Sequence, residues 1–190
     1  MMTKKIETKI VMIGNGKMGG ALLQRWLEKK CLVESIVVHP SADASRDTEA
    51  CRFIPSLDYI PEDYAPDIVV VAVKPQMFST VIADYKSFIL HRQPILVSLM
   101  AGLALQYCKE LSGANTVIRT MPNLPVAIGE GVTGLYAEAN VPQTAKEKVQ
   151  SLFDVTGLVQ WVTEESSMHD ITAVAGSGSG YVFHVLEAYC

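Results

Sequence analysis

The feature that most restricts this chain is a set of unbroken apolar runs, each of strand length. "KIVMI" covers Lys9–Ile13, "SIVVH" Ser35–His39, "IVVVAV" Ile68–Val73 and "PILVSL" Pro94–Leu99. A strand with one wet face alternates apolar and polar residues. A strand that is apolar at nearly every position needs cover on both faces, the condition of a parallel sheet between two layers of helices. Helical spacing fills the intervals. Met18, Leu22, Leu23, Trp26 and Leu27 follow the first run, residues 76–90 follow Pro75, and residues 104–111 precede Gly113. Shorter strands are predicted at Cys51–Phe53, Thr116–Thr120, Gly131–Ala137 and Leu158–Val162, and a further helix at 143–155. Strand and helix therefore alternate from residue 9 to 162, the pattern of a doubly wound α/β sheet.

Past Thr163 only helical periodicity remains: Met168, Ile171 and Val174, then Val182, Val185, Leu186 and Tyr189. Gly176-Ser177-Gly178-Ser179-Gly180 is expected to interrupt it as a hinge. The last helical stretch reaches Cys190 with no capping Gly or Asn and no basic turn. The chain is therefore expected to stop inside a second, helical domain, with an α/β domain over 1–162 and a helical portion over 163–190.

The totals exclude several classes. Of 190 residues 49% are apolar, enough for a real core, and the net charge of −4 is spread without blocks. No basic stripe exists to bind nucleic acid. The apolar runs are too short to span a membrane, and the start, "MMTKKIETKIVMIG", breaks at Gly14 too early for a signal peptide. Cys31, Cys51, Cys108 and Cys190 are scattered without a CxxC pair, as reduced thiols of a cytoplasmic protein are. His39, His91, His169 and His184 have no ligand spacing, so no metal is expected.

Chemistry enters with "GNGKMG", a G-x-G-x-x-G pattern at Gly14, Gly16 and Gly19 that follows a strand and opens a helix. In that setting the first glycine permits the tight turn and the second admits a pyrophosphate to the backbone. The third lets helix and strand approach. Asn15, Lys17 and Met18 complete the loop, and the helix start offers free N–H groups to an anion. The competing reading is a plain strand–helix turn with incidental glycines. An NAD site carries an acid at the end of the second strand for the ribose 2′-hydroxyl. Here His39, Pro40 and Ser41 stand there. Ser41 and Arg46 suit a 2′-phosphate, while Asp43 in the same loop opposes it. NADP(H) is preferred on this logic, with NAD(H) possible.

Together with "IGNGKMGGALL", the segments "VVVAVKPQ" (69–76), "VSLMAGL" (97–103), "RTMPNLPVAIGEG" (119–131) and "ITAVAGSGSGYVF" (171–183) resemble the pyrroline-5-carboxylate reductase family. The likeness covers essentially the whole chain; R-x-M-P-N-x-P is its most specific part. It implies a Rossmann-like dinucleotide domain followed by the start of an all-helical dimerisation domain, a homodimer or higher homo-oligomer, and a small imino-acid substrate. The implied reaction is hydride transfer from NAD(P)H to the C=N carbon of Δ1-pyrroline-5-carboxylate, giving proline. The implied cofactor contacts are Val73, Lys74, Pro75, Met100, Ala101, Gly102 and Asn123 besides the glycine loop; Ser177 and Ser179 would touch the substrate. Most of the catalytic groups are expected past residue 190. Lys74 also reads as a solvated turn lysine, Gly102 as a turn glycine, and the prolines of "MPNLP" as loop shapers. Two features depart from the family. The proline of its S-G-S-G-P-A-Y segment is missing, and Asp58 and Tyr59 stand where an adenosine-contacting Asn is usual, so that contact is not carried over. Other Rossmann reductases, such as a relative of the F420-dependent NADP reductases or a β-hydroxyacid dehydrogenase, and a non-catalytic NADP(H)-binding fragment are the alternatives.

Overall fold

The computed structural model describes residues 8–190, apart from the side chain of Ser179. The apolar runs become β1 (Ile10–Ile13), β2 (Ser35–Val38), β4 (Ile68–Val71) and β5 (Ile95–Ser98), with β3 at Cys51–Ile54 and β6 at Val117–Met121. These six pair in parallel in the order β3-β2-β1-β4-β5-β6. Every residue of β1, β2 and β4 is buried, as two-sided cover requires.

The cover is two layers of helix. Leu22, Leu23 and Trp26 of α1 (Lys17–Glu28) share one core with Val149, Leu152 and Phe153 of α4 (Gln143–Asp154). Trp26 fixes this pair. Its Nε1 donates to the Leu152 carbonyl at 2.7 Å, and its ring meets Phe153 edge-on at 5.7 Å between centroids. Phe78, Ile82, Phe88 and Ile89 of α2 (Phe78–Arg92) share the other core with Leu105 and Cys108 of α3 (Leu105–Ser112). Gly113, at φ 73°, ends α3 in the left-handed conformation that glycine adopts without strain.

Two expectations are corrected. The sheet is not parallel throughout: β7 (Gly131–Ala137) runs antiparallel to β6, and β8 (Gly157–Trp161) follows β7 in parallel. The link between β6 and β7 holds only a 3-10 turn, Leu124–Ile128, with Pro125 near its start. It is too short for the crossover that a parallel neighbour needs. The Gly-Ser run is also not a hinge. α5 (Ser167–Ile171) passes through a π-helical turn, Thr172–Ser177, straight into α6 (Gly178–Tyr189). Tertiary contact outweighs the weak helix propensity of glycine and serine here. Ile171 packs on Gly134 of β7, and a Cβ at Gly176 would come within 2.8 Å of Met121 Cε. The outer part of α6 exposes Tyr181, Val182, Phe183, Val185, Leu186 and Tyr189.

The strand order places the functional crevice. β1 lies between β2 and β4, so successive crossovers leave it in opposite directions, and ligands of open α/β sheets bind at the carboxyl ends of strands at such a point.

Candidate functional site

At that point β1 turns into α1. Gly14 N–H donates to the Val38 carbonyl at 2.9 Å, and Ala72 N–H donates to the Ile13 carbonyl at 2.8 Å. The loop is thus pinned between the ends of β2 and β4. Gly14 is needed twice over: its φ is +92°, and a Cβ would sit 2.8 Å from the Ala72 oxygen. Gly19 is a packing glycine, since a Cβ would meet Ala72 Cβ at 2.9 Å. Gly16 differs from both. Its φ is −72°, and a Cβ would meet nothing within 4 Å. Neither conformation nor packing within the chain demands glycine there. The space in front of its backbone is open to an approach from outside.

Gly16 caps α1 without a side-chain hydrogen bond, and the first turn contains no acid. The amide N–H groups at the helix start are left for an external acceptor, and the helix dipole favours an anion. The residues present therefore fit the pyrophosphate of a dinucleotide. Asn15 Oδ1 is buried without a partner among the described residues, a further polar atom of the loop that no protein contact uses.

A cleft of about 810 Å³ runs from this loop over the ends of β1, β2, β3 and β4. Gly14, Asn15, Gly16, Ser41, Val73 and Lys74 line it. The Ser41 amide donates to His39 Nδ1 at 3.1 Å, leaving the Ser41 hydroxyl uncommitted among the described residues. Lys17 faces a separate depression of about 640 Å³ on the other side of the loop. Met18 and Gly19 form the first turn of α1, and Pro75 opens the 3-10 turn Pro75–Met77 ahead of α2. Met100, Ala101, Gly102, Asn123 and Ser177 do not border the cleft. Met100 is buried, and its amide is bound by Ser98 Oγ at 3.3 Å. Asn123 Oδ1 accepts from Val132 N–H at 2.8 Å and so starts β7. Ser177 is exposed in the π-helical turn. The side chain of Ser179 lies outside the described residues.

The loop after β2 resolves differently from its sequence reading. Arg46 stacks on Phe53, 4.5 Å from the ring centroid, and lines the smaller depression rather than the cleft. Asp43 turns to Ser45, whose N–H it accepts at 2.9 Å; the Ser45 hydroxyl first and this N–H second hold its carboxyl below the usual range. Asp43 does not line the cleft either.

Sequence reasoning missed most of one wall of the cleft: Ser56 and Leu57 after β3, Met77 just ahead of α2, and Val81, Asp84 and Tyr85 along α2; Asp58, whose contact was not carried over, lines the same wall. Met77, Val81 and Tyr85 are spaced by four, so a helical wheel placed beside the end of β4 would have found them. Burial, with Asp84 and Asp58 adding to it, pushes the Tyr85 hydroxyl up to about 12, so it stays protonated at neutral pH. No activated nucleophile appears among the buried thiols. Burial raises both Cys51 and Cys108, and the Cys108 sulfur sits 3.6 Å from Ser98 Oγ. Among the described residues no three His, Cys, Asp or Glu side chains are grouped to hold a metal, and no helix is long and apolar enough to cross a membrane.

Comparison with known proteins agrees with this geometry. Residues 9–102 match the family described as NADP oxidoreductase coenzyme F420-dependent. The pyrroline-5-carboxylate reductase of Synechocystis is 32% identical over 188 residues, covering 96% of this chain and 68% of that protein. That of Haemophilus influenzae is 31% identical over 186 residues, covering 94% of this chain and 66% of that protein. The crystal structure of Plasmodium falciparum pyrroline carboxylate reductase with NADP bound superposes with a TM-score of 0.81 at 27% identity, covering 95% of this chain and 67% of that one. The chain thus spans about two thirds of the length of these relatives.

Proposed function

The chain belongs to the pyrroline-5-carboxylate reductase family, and from that premise we propose that it binds NAD(P)H and serves the reduction of Δ1-pyrroline-5-carboxylate to proline. The observation that carries the reading is Gly16: a glycine that the chain's own packing does not require, at an uncapped helix start, beside a cleft of dinucleotide size.

The cofactor, when bound, supplies a hydride to the ring carbon of a protonated imine, which becomes a secondary amine. The chain's own residues hold and orient. The amides at the start of α1 take the pyrophosphate, and Gly16 leaves it room. Val73, Lys74 and Pro75, at the mouth of β4, flank the path along the sheet. Met100, Ala101 and Gly102 follow β5, the next strand over, and are assigned to the same path, with Asn123 assigned to the nicotinamide end. Ser177 and Ser179 are assigned to the substrate carboxylate, in a helical turn rather than a loop. Such positioning supplies much of the acceleration in a hydride transfer.

NADP(H) is the preferred form. The end of β2 offers the free Ser41 hydroxyl and no acid, and Asp43 is turned away to Ser45. The helical segment 163–190 is assigned to a dimerisation and substrate domain, because the apolar side chains of α6 are exposed on the single chain. A cytoplasmic setting suits three buried, unpaired thiols at Cys31, Cys51 and Cys108.

The test is NADPH oxidation, followed by absorbance, on addition of pyrroline-5-carboxylate. Substrate-dependent oxidation supports the reading. Tight NADPH binding without turnover at any substrate or protein concentration would favour a non-catalytic NADP(H)-binding protein instead.

A further inference from the structure

Helix α1 holds more than the glycine loop. Arg25 lies about two turns along it, about 12 Å from Lys17. Its side chain is 19% exposed and does not border the cleft. Nε donates at 2.8 Å to the carbonyl of Val155, just past α4. Nη1 makes a loose ion pair with Glu28, 3.7 Å away on the same helix. The guanidinium also lies against Gly129, which closes the 3-10 turn Leu124–Ile128 at φ +81°. A Cβ at Gly129 would sit 2.8 Å from Arg25 Cζ and nearer still to Nη2. The guanidinium thus occupies the space that a side chain would take.

The turn needs that hold. Of its five residues only Val126 is buried, while Leu124 and Ile128 are 55% and 71% exposed. Val126 anchors the middle, and Arg25 fastens the end. Hydrogen bonds inside the segment carry the hold back to Asn123. Glu130 N–H donates to the Pro125 carbonyl at 3.1 Å and Gly129 N–H to the Val126 carbonyl at 3.2 Å. Val126 N–H donates to the Asn123 carbonyl at 3.2 Å, and Asn123 Oδ1 takes the Val132 N–H. One helix therefore offers its first turn to the pyrophosphate and grips, through Arg25, the segment that begins at Asn123. We infer that Arg25 is a positioning residue for the cofactor: by holding Gly129 it fixes Asn123, assigned to the nicotinamide end, relative to the amides that take the pyrophosphate. The inference rests on the dinucleotide reading of this site and deepens it. A brace that served the fold alone would alter the grip on both halves of the cofactor together, or on neither.

The experiment is a pair of calorimetric titrations of the full chain, well below its Tm, with NADPH and with ADP-ribose 2′-phosphate, which lacks only the nicotinamide. Arg25→Met keeps much of the apolar stem and removes the guanidinium. It should weaken NADPH about fivefold or more and leave ADP-ribose 2′-phosphate within about twofold of wild type. Arg25→Lys keeps a donor for the Val155 carbonyl but not the broad planar group on Gly129. It should recover most of the Tm lost in Arg25→Met and still weaken NADPH alone, by about threefold or more. Should Arg25→Met fail to fold, Arg25→Lys decides the matter by itself. Equal weakening of both ligands, or of neither, would overturn the inference and leave the dinucleotide site standing. Binding of neither ligand by the wild-type chain would overturn the dinucleotide reading itself.

Discussion

Arg119 and Glu165 form an ion pair at 2.5 Å that ties β6 to the turn between β8 and α5. The same Glu165 Oε1 accepts the Leu105 N–H at 2.5 Å, so one carboxylate oxygen also secures the start of α3. Arg119 is only 5% exposed. The pair thus joins the segment leading into the C-terminal helices to the strand that begins the R-x-M-P-N run. Removing the carboxylate strands a buried guanidinium and an open helix start together. Glu165→Ala should cost about 2 kcal/mol, the partial exposure of Glu165 trimming the full penalty of a broken buried pair. Glu165→Gln keeps an acceptor for Leu105 and should cost less. Urea unfolding of the three proteins measures this; an Ala variant as stable as wild type would show the pair to be idle.

Ser41 stands where an acid would select NAD. Ser41→Asp should weaken NADPH binding about tenfold or more through repulsion of the 2′-phosphate, while NADH affinity holds or improves. Parallel titrations with both cofactors measure the ratio. An unchanged ratio would place the ribose elsewhere in the cleft.

Alkaline pH should unfold the protein through two buried acids. Burial, aided by Asp47, pushes the Cys51 thiol from its ordinary 9.0 up to about 12. The folded state disfavours the thiolate, so the stabilisation is complete below about pH 9 and is lost as pH rises toward 12. Tyr85 acts in the same direction, from its ordinary 10.0 up to about 12. Thermal unfolding should show Tm falling above about pH 9, with a shallower fall in Cys51→Ala. Parallel profiles for the two proteins would rule out the thiol as a contributor.

Much of the sheet was legible because burial on both faces leaves an unmistakable trace: the runs at 9–13, 35–39, 68–73 and 94–99 each contain a strand. Gly113 and Pro75 marked a helix end and a helix approach for backbone reasons that hold in any context. Strand direction was not legible. The spacing of apolar residues in "GVTGLYA" is the same read either way, and only the short link through Leu124–Ile128 decides that β7 reverses. The Gly-Ser run misled because local propensity is weak beside the packing of Ile171 and Gly176 on β7 and β6. Arg46 misled because its proximity in sequence to Ser41 says nothing of the Phe53 ring that takes it. Asp84 and Tyr85 were invisible as site residues, since within α2 they read as one exposed and one buried position of an ordinary helix.

The glycine loop carries the central claim, and two of its glycines separate structure from function. Gly14→Ala places a Cβ against the Ala72 oxygen at positive φ and should destabilise the fold. Gly16→Ala meets open space, so its stability cost is only that of a poorer helix cap, about 1 kcal/mol or less, while it blocks the pyrophosphate. The most direct measurement is therefore a fluorescence titration with NADPH of wild type and Gly16→Ala, with thermal unfolding of both. Binding by wild type, weakened about tenfold or more in a Gly16→Ala protein whose Tm falls by no more than the poorer helix cap accounts for, is the expected result. Wild-type affinity in Gly16→Ala, or no binding by either protein, would contradict the assignment of this loop as the seat of a dinucleotide.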